Sequence, residues 1–223
     1  MSRVKMMVMA LVALMVLGAL GAVSASADEW FVSGALLKVL AKLASTAAVD
    51  EDATLLVPSV SGLAVLCGGK TLDVEGGEIL PGDTFSIQSL KFLGCKTTKP
   101  ATGGCELEKP EQTISTLPIL GLADLGPSSP AVRLLLTPQT KSTFAEIAFN
   151  ENNTCAFTGV EPVKGKITLN APSGQTEEAS QPVGALGSVE NNSLEIGAGN
   201  KAFIDGGRVL LRLESGSKWS FHG

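Results

Sequence analysis

Apolar and polar residues alternate in short runs along most of this chain. Residues 208–214 are the clearest case, with Val209, Leu211 and Leu213 on one face and Arg208, Arg212 and Glu214 on the other beside Leu210. That period of two is the signature of a half-buried β-strand. Residues 143–149 alternate in the same way. Residues 84–92 change phase between Ile87 and Leu90, which predicts a β-bulge. Further strands are predicted over 54–57, 63–67, 71–74, 114–117, 132–136, 166–169 and 218–221, set off by Gly, Pro, Asn and Asp. About ten short, closely spaced strands predict an all-β fold, a single antiparallel β-sandwich or barrel-like domain.

Two stretches depart from this pattern. Over residues 35–49, Leu36, Leu40 and Leu43 form one stripe and Lys38 and Lys42 stand four apart, which predicts a short amphipathic helix or, in its place, an irregular strand. Residues 170–200 are rich in Gly, Ser, Pro, Gln and Asn and predict a long loop or hairpin excursion.

The first 27 residues read as a secretory signal peptide. Arg3 and Lys5 form a basic head, residues 6–23 an unbroken apolar run, and Ala25-Ser26-Ala27 a small-residue cleavage site followed at once by Asp28 and Glu29. The competing reading is an uncleaved anchor, since about 18 apolar residues can cross a bilayer. Cleavage would leave residues 28–223 as a single β-rich domain without a stable membrane span. The leader holds two of the 17 basic residues and none of the 22 acidic ones, so the remainder carries 15 against 22, a net charge of −7. Without a cluster of Lys and Arg, that sign argues against nucleic acid or anionic lipid as a partner. An unidentified extracellular or cell-envelope partner is the expectation, and the oligomeric state is left open.

Export changes the meaning of the cysteines. Cys67, Cys95, Cys105 and Cys155 all follow the leader, and an even count in an oxidising compartment implies two disulfides. The favoured pairing is Cys67 with Cys95 and Cys105 with Cys155, and a short Cys95–Cys105 staple is the alternative. The wide spacing does not suit a zinc site, so neither metal nor cofactor is expected.

Candidate chemistry is sparse. Gly68-Gly69-Lys70-Thr71 fits the loosest phosphate-loop pattern, but the glycines that follow do not start a helix. A hairpin turn is the better reading. Nucleophilic catalysis would require the only histidine, His222, where chain ends usually fray. Glu146 is the one carboxylate whose position in an alternating strand hints at burial and so at acid–base chemistry. Asp50, Glu51 and Asp52 lack the calcium-loop spacing and read as a solvated turn. Asn152-Asn153-Thr154 and Asn191-Asn192-Ser193 are glycosylation patterns that matter only in a eukaryotic secretory route.

Trp30-Phe31-Val32-Ser33-Gly34, Phe92-Leu93-Gly94-Cys95, Cys105-Glu106-Leu107, Ile114-Ser115-Thr116-Leu117 and Phe144-Ala145-Glu146-Ile147 before Cys155 together resemble a family of exported actinobacterial-type proteins. Those proteins have a signal peptide, a W-x-V-x-G start and four cysteines in similar order. The resemblance covers roughly residues 29–159, while the helix-like 35–49 and the tail after 170 depart from it. It implies export, two disulfides and a β-rich fold, and no catalytic residue. The functional expectation is therefore an exported, non-catalytic, disulfide-stabilised β domain, a surface structural or binding module. An apolar-ligand carrier with a barrel interior and a carboxylate-dependent extracytoplasmic hydrolase are the alternatives.

Overall fold

The computed structural model describes residues 28–46, 52–60, 62–68, 72–99, 104–109, 111–125, 131–140, 142–152, 154–185 and 192–223; the expected leader, 1–27, lies outside them. In chain order the strands are β1 (Glu29–Val32), β2 (Ala35–Leu36), β3 (Ala41–Thr46), β4 (Ala53–Val57), β5 (Leu63–Cys67), β6 (Leu72–Glu75) and β7 (Gly77–Ile79). There follow β8 (Thr84–Ile87), β9 (Ser89–Lys99), β10 (Gln112–Ser115), β11 (Ile119–Leu125), β12 (Val132–Pro138) and β13 (Thr143–Phe149). The last are β14 (Gly159–Ala171), β15 (Ser180–Ala185), β16 (Asn192–Ile196), β17 (Asn200–Gly206), β18 (Arg208–Leu213) and β19 (Trp219–His222). No α-helix occurs among the described residues.

Eight strands close into an antiparallel barrel in the order β14-β12-β11-β8-β7-β3-β18-β15, with β15 pairing back onto β14. One interior row runs Ala41, Ile79, Phe85, Gly121, Leu136 and Ile167, each hydrogen-bonded in register with the next strand. Alternation does the sorting. On β11, Ile119, Gly121 and Ala123 face inward while Leu120 and Leu122 face out. Gly121 is required here because a Cβ would lie 1.9 Å from the Phe85 ring, which covers the bare backbone of its cross-strand partner.

A second ring shares β14. It runs β13-β14-β16-β17-β4-β5-β9-β10. It closes where Thr116, just beyond β10, bridges to Ala145 and the Leu117 amide donates to the Phe144 carbonyl at 2.9 Å. β14 serves both rings by twisting at Gly165 (φ 111°), whose missing Cβ would lie 1.8 Å from the Ser193 carbonyl oxygen. Before that glycine Val163 points into the second ring, and after it Ile167 points into the first. The two interiors form one contiguous apolar cluster.

The terminal strands β19, β1 and β2 form a small separate sheet against the first barrel. Trp30 projects from it into the core, with ring centroids 4.7 Å from Phe221, 5.7 Å from Trp219 and 6.4 Å from Phe85. Its Nε1 donates to the Thr84 carbonyl at 3.2 Å. Beside the cluster, fully buried Gln181 donates from Nε2 to the carbonyls of Thr176 (2.7 Å) and Trp219 (3.1 Å), while its Oε1 accepts from Ser173 Oγ at 3.1 Å. Each polar atom of the amide is thereby satisfied away from water, as burial requires.

Three sequence expectations change. The all-β expectation holds, and barrel closure replaces the open choice between sandwich and barrel. Of the two readings of 35–49, the described part takes the irregular strand and not the helix: Ala35–Leu36 and Ala41–Thr46 are strands, with Leu43 buried and Leu36 and Leu40 exposed. The ladders from β3 to β18 and β7 satisfy its backbone and bury Leu43, which a lone amphipathic stripe does not match. The phase shift expected as a bulge between Ile87 and Leu90 is instead a crossing, because β8 belongs to the first barrel and β9 to the second. There the Gln88 amide donates to the carbonyls of Glu75 (3.1 Å) and Gly76 (3.3 Å), beside the matching crossing from β6 to β7. The excursion expected around 170–200 contributes strands β15 and β16.

Candidate functional site

Cys67 and Cys95 face each other directly across β5 and β9 and are bonded, as are Cys105 and Cys155. The Cys95–Cys105 alternative is thereby excluded. Both bridges belong to the second ring. The first joins neighbouring strands, and the second ties the segment before β10 to the loop after β13, beside the Phe149–Phe157 ring pair at 5.3 Å. Closing loops of 28 and 50 residues, they stabilise by about 3.6 and 4.1 kcal/mol on the chain-entropy model.

The interior of the second ring is the natural place for a ligand in a barrel. Phe92, Ile114, Phe144, Ile147, Leu194 and Ile204 converge there with the Cys67 side chain and leave about 40 Å³ of space. A cavity that holds a small organic ligand needs about 300 Å³ or more. In the first ring, Phe85, Trp30, Trp219 and Phe221 are buried in the core.

The residues singled out for catalysis do not come together. Glu146, whose side of the strand the sequence leaves open, is exposed on the outer face of β13, as most such residues are; it pairs in register with Pro162, while Ala145 and Ile147 take the interior. His222 is not frayed but sits in β19 opposite Glu29, its ring edge-on to Phe31 at 5.0 Å. Its Nε2 shares a 3.0 Å hydrogen bond with Ser220 Oγ, a pairing that sequence reading missed. The signal was their spacing of two along one strand, which places both on one face. Ser220 is fully buried, so that hydroxyl is closed to a substrate.

Gly68 follows β5, while Gly69, Lys70 and Thr71 lie outside the described residues. The next element is strand β6, and β5 and β6 line the same edge of β9, so the segment joins two strands and precedes no helix. Asp50 and Glu51 also lie outside the described residues. Among the described residues no three His, Cys, Asp or Glu side chains group to hold a metal.

What remains is exterior surface. Open clefts of about 500 and 350 Å³ flank Glu108 and Asn150 at the rim of the second ring, near the Cys105–Cys155 bridge. Their polar groups bond to one another: the Asn152 amide donates to Asn150 Oδ1 at 2.9 Å and the Glu108 amide to the Ala148 carbonyl at 2.9 Å. Two apolar patches stand out. Leu120 and Leu122 lie on the outer face of β11, and Leu36, Val39 and Leu40 cluster after β1, Val39 being 76% exposed. Comparison with protein-family models, with curated proteins and with solved structures returns no match.

Proposed function

We propose that this protein is an exported, non-catalytic β module that acts at the cell exterior through its outer surface, as a binding or structural unit. The observation that carries this reading is the filled interior: the second ring leaves about 40 Å³, too little for a carried ligand. Two disulfides support the oxidising destination, because such bridges persist outside the reducing cytosol. The leader-like start and the resemblance of residues 29–159 to exported proteins with four cysteines support the same address.

Fractionation of cells expressing the full chain tests the proposal. The expected product lies in the medium or envelope, begins at Asp28 and is alkylated at its cysteines only after reduction. Cytosolic protein with an intact leader and four alkylatable thiols would overturn the reading.

A further inference from the structure

The turn that leaves β4 and the start of β17 frame a groove on the outer wall of the second ring. Phe203 on β17 faces Leu56 on β4 in register, so Pro58 and Ser59, just past the end of β4, run alongside Asn200 and Lys201. The groove has a volume of about 360 Å³ and is lined by Pro58, Ser59, Gly199, Asn200, Lys201 and Phe203. That is room for a small organic ligand. Its walls are fixed by hydrogen bonds. The Val60 amide donates to the Val57 carbonyl at 3.1 Å and the Leu63 amide to the Val60 carbonyl at 2.8 Å, which holds the turn carrying Pro58 and Ser59. Ser59 Oγ donates to Asn200 Oδ1 at 3.1 Å, and Asn200 Nδ2 donates to the Ile196 carbonyl at 3.5 Å. Gly199 leaves its end open, since a Cβ built there would meet nothing within 4 Å.

The lining selects the ligand. The half-buried Phe203 ring and the exposed Pro58 ring supply apolar surface. Beside them stand the Ser59 hydroxyl, which keeps lone pairs to accept with, the clamped Asn200 amide and the Lys201 ammonium. No carboxylate lines the groove, so a metal ion has no anionic ligand there. Lys201 makes no ion pair among the described residues, but Glu195 stands opposite it in register on β16 and balances its charge. With that balance and a net charge of −7 over residues 28–223, an anionic ligand is disfavoured. A neutral pyranose ring complements the pattern, with an apolar C–H face to lie on an aromatic ring and hydroxyls around its edge. The rim clefts beside Glu108 and Asn150 lack such a floor, because the one ring that lines them, Phe149, is buried in the core.

We propose that the groove between the Pro58–Ser59 turn and β17 binds a neutral pyranose residue of an exterior glycan, stacked on Phe203 with its hydroxyls bonded to Ser59, Asn200 and Lys201. The proposal names a partner for the outer surface and rests on the export reading given above.

The test is amide NMR titration of leader-free protein, recovered from cells that express the full chain, with maltopentaose, cellopentaose and mannopentaose. At least one is expected to shift the amides of Ser59 and of residues 199–203 saturably, with a Kd of about 1 mM. Phe203→Leu keeps apolar bulk but removes the flat ring, and is expected to weaken binding about fivefold. Lys201→Met changes an exposed position and is expected to weaken it about threefold. Leu120→Ser, on β11, is expected to bind as wild type, and amide spectra that otherwise overlay verify that each variant is folded. Absence of saturable shifts with all three sugars, shifts confined to the rim clefts, variants at both 203 and 201 that bind as wild type, or tighter binding of a galacturonate pentamer would each overturn the proposal. Exported protein with both disulfides intact that binds no sugar would leave the export reading standing, whereas cytosolic protein with free thiols would remove that reading itself.

Discussion

Replacing Gly121 with alanine places a methyl group 1.9 Å from Phe85 Cζ, where about 3.4 Å or more is ordinary contact, so the ring must retreat by about 1.5 Å. It has little room to do so. Phe85 is buried at 4% exposure with Trp30 edge-on at 6.4 Å, in a row whose neighbours are Ile79 and Gly121. Overpacking of this kind costs about 2–3 kcal/mol. Truncating the ring alone, Phe85→Ala, costs about 3–5 kcal/mol as a core cavity. In the double variant the new methyl enters space the ring has vacated. The two costs then cease to add, with a coupling of about 1.5 kcal/mol or more in favour of the pair. Urea unfolding followed by tryptophan fluorescence reads all three variants directly, since Trp30 and Trp219 are both buried and the chain has no Tyr to overlap them. Costs that add within about 0.5 kcal/mol would refute the claim that Gly121 is glycine because of Phe85.

Other changes test the frame. Converting Cys105 and Cys155 together to serine should cost about 4 kcal/mol in denaturant unfolding, from reopening a 50-residue loop. Gly165→Ala combines a left-handed φ with a Cβ 1.8 Å from the Ser193 carbonyl, and should cost at least about 3 kcal/mol or abolish recovery of folded protein in an expression assay. Lys91 has its pKa raised chiefly by its hydrogen bond to Glu75, at 2.8 Å, so its contribution is complete below the ordinary lysine value of 10.5 and fades as pH climbs through the higher folded value. Glu75→Gln should therefore differ from wild type by a small, constant amount across neutral pH, and converge with it in strongly alkaline solution. Unfolding midpoints measured across that range check the sign.

Much of the barrel was legible because alternation is a local property. Strands β13 and β18 follow from the side-chain sequence alone: one face of each is apolar, and a period of two has no other use. β11 was not legible, since Leu120 and Leu122 face outward and break the polar side of the pattern. β3 was ambiguous between helix and strand because Leu36, Leu40 and Leu43 happen to fall at helical spacing, while the ladders that decide for strand come from β7 and β18, far away in sequence. The phase shift at Ile87–Leu90 was visible but ambiguous: a bulge and a crossing between two rings leave the same trace in the sequence. Glu146 carries no signal for its side of the strand beyond its apolar neighbours, and those neighbours turn it to solvent.

By itself the chain determined its all-β class, the presence of two disulfides and its expected destination, because composition, cysteine count and strand periodicity are legible without any tertiary pairing; which cysteines join was decided by the fold. Only the tertiary structure decided that the strands close into two rings joined by β14, that Trp30 of the first strand packs on Trp219 and Phe221 of the last, and that the side chains inside the second ring leave about 40 Å³. Those outcomes depend on pairings across most of the chain length, and burial of apolar surface selects among them only when every strand is present.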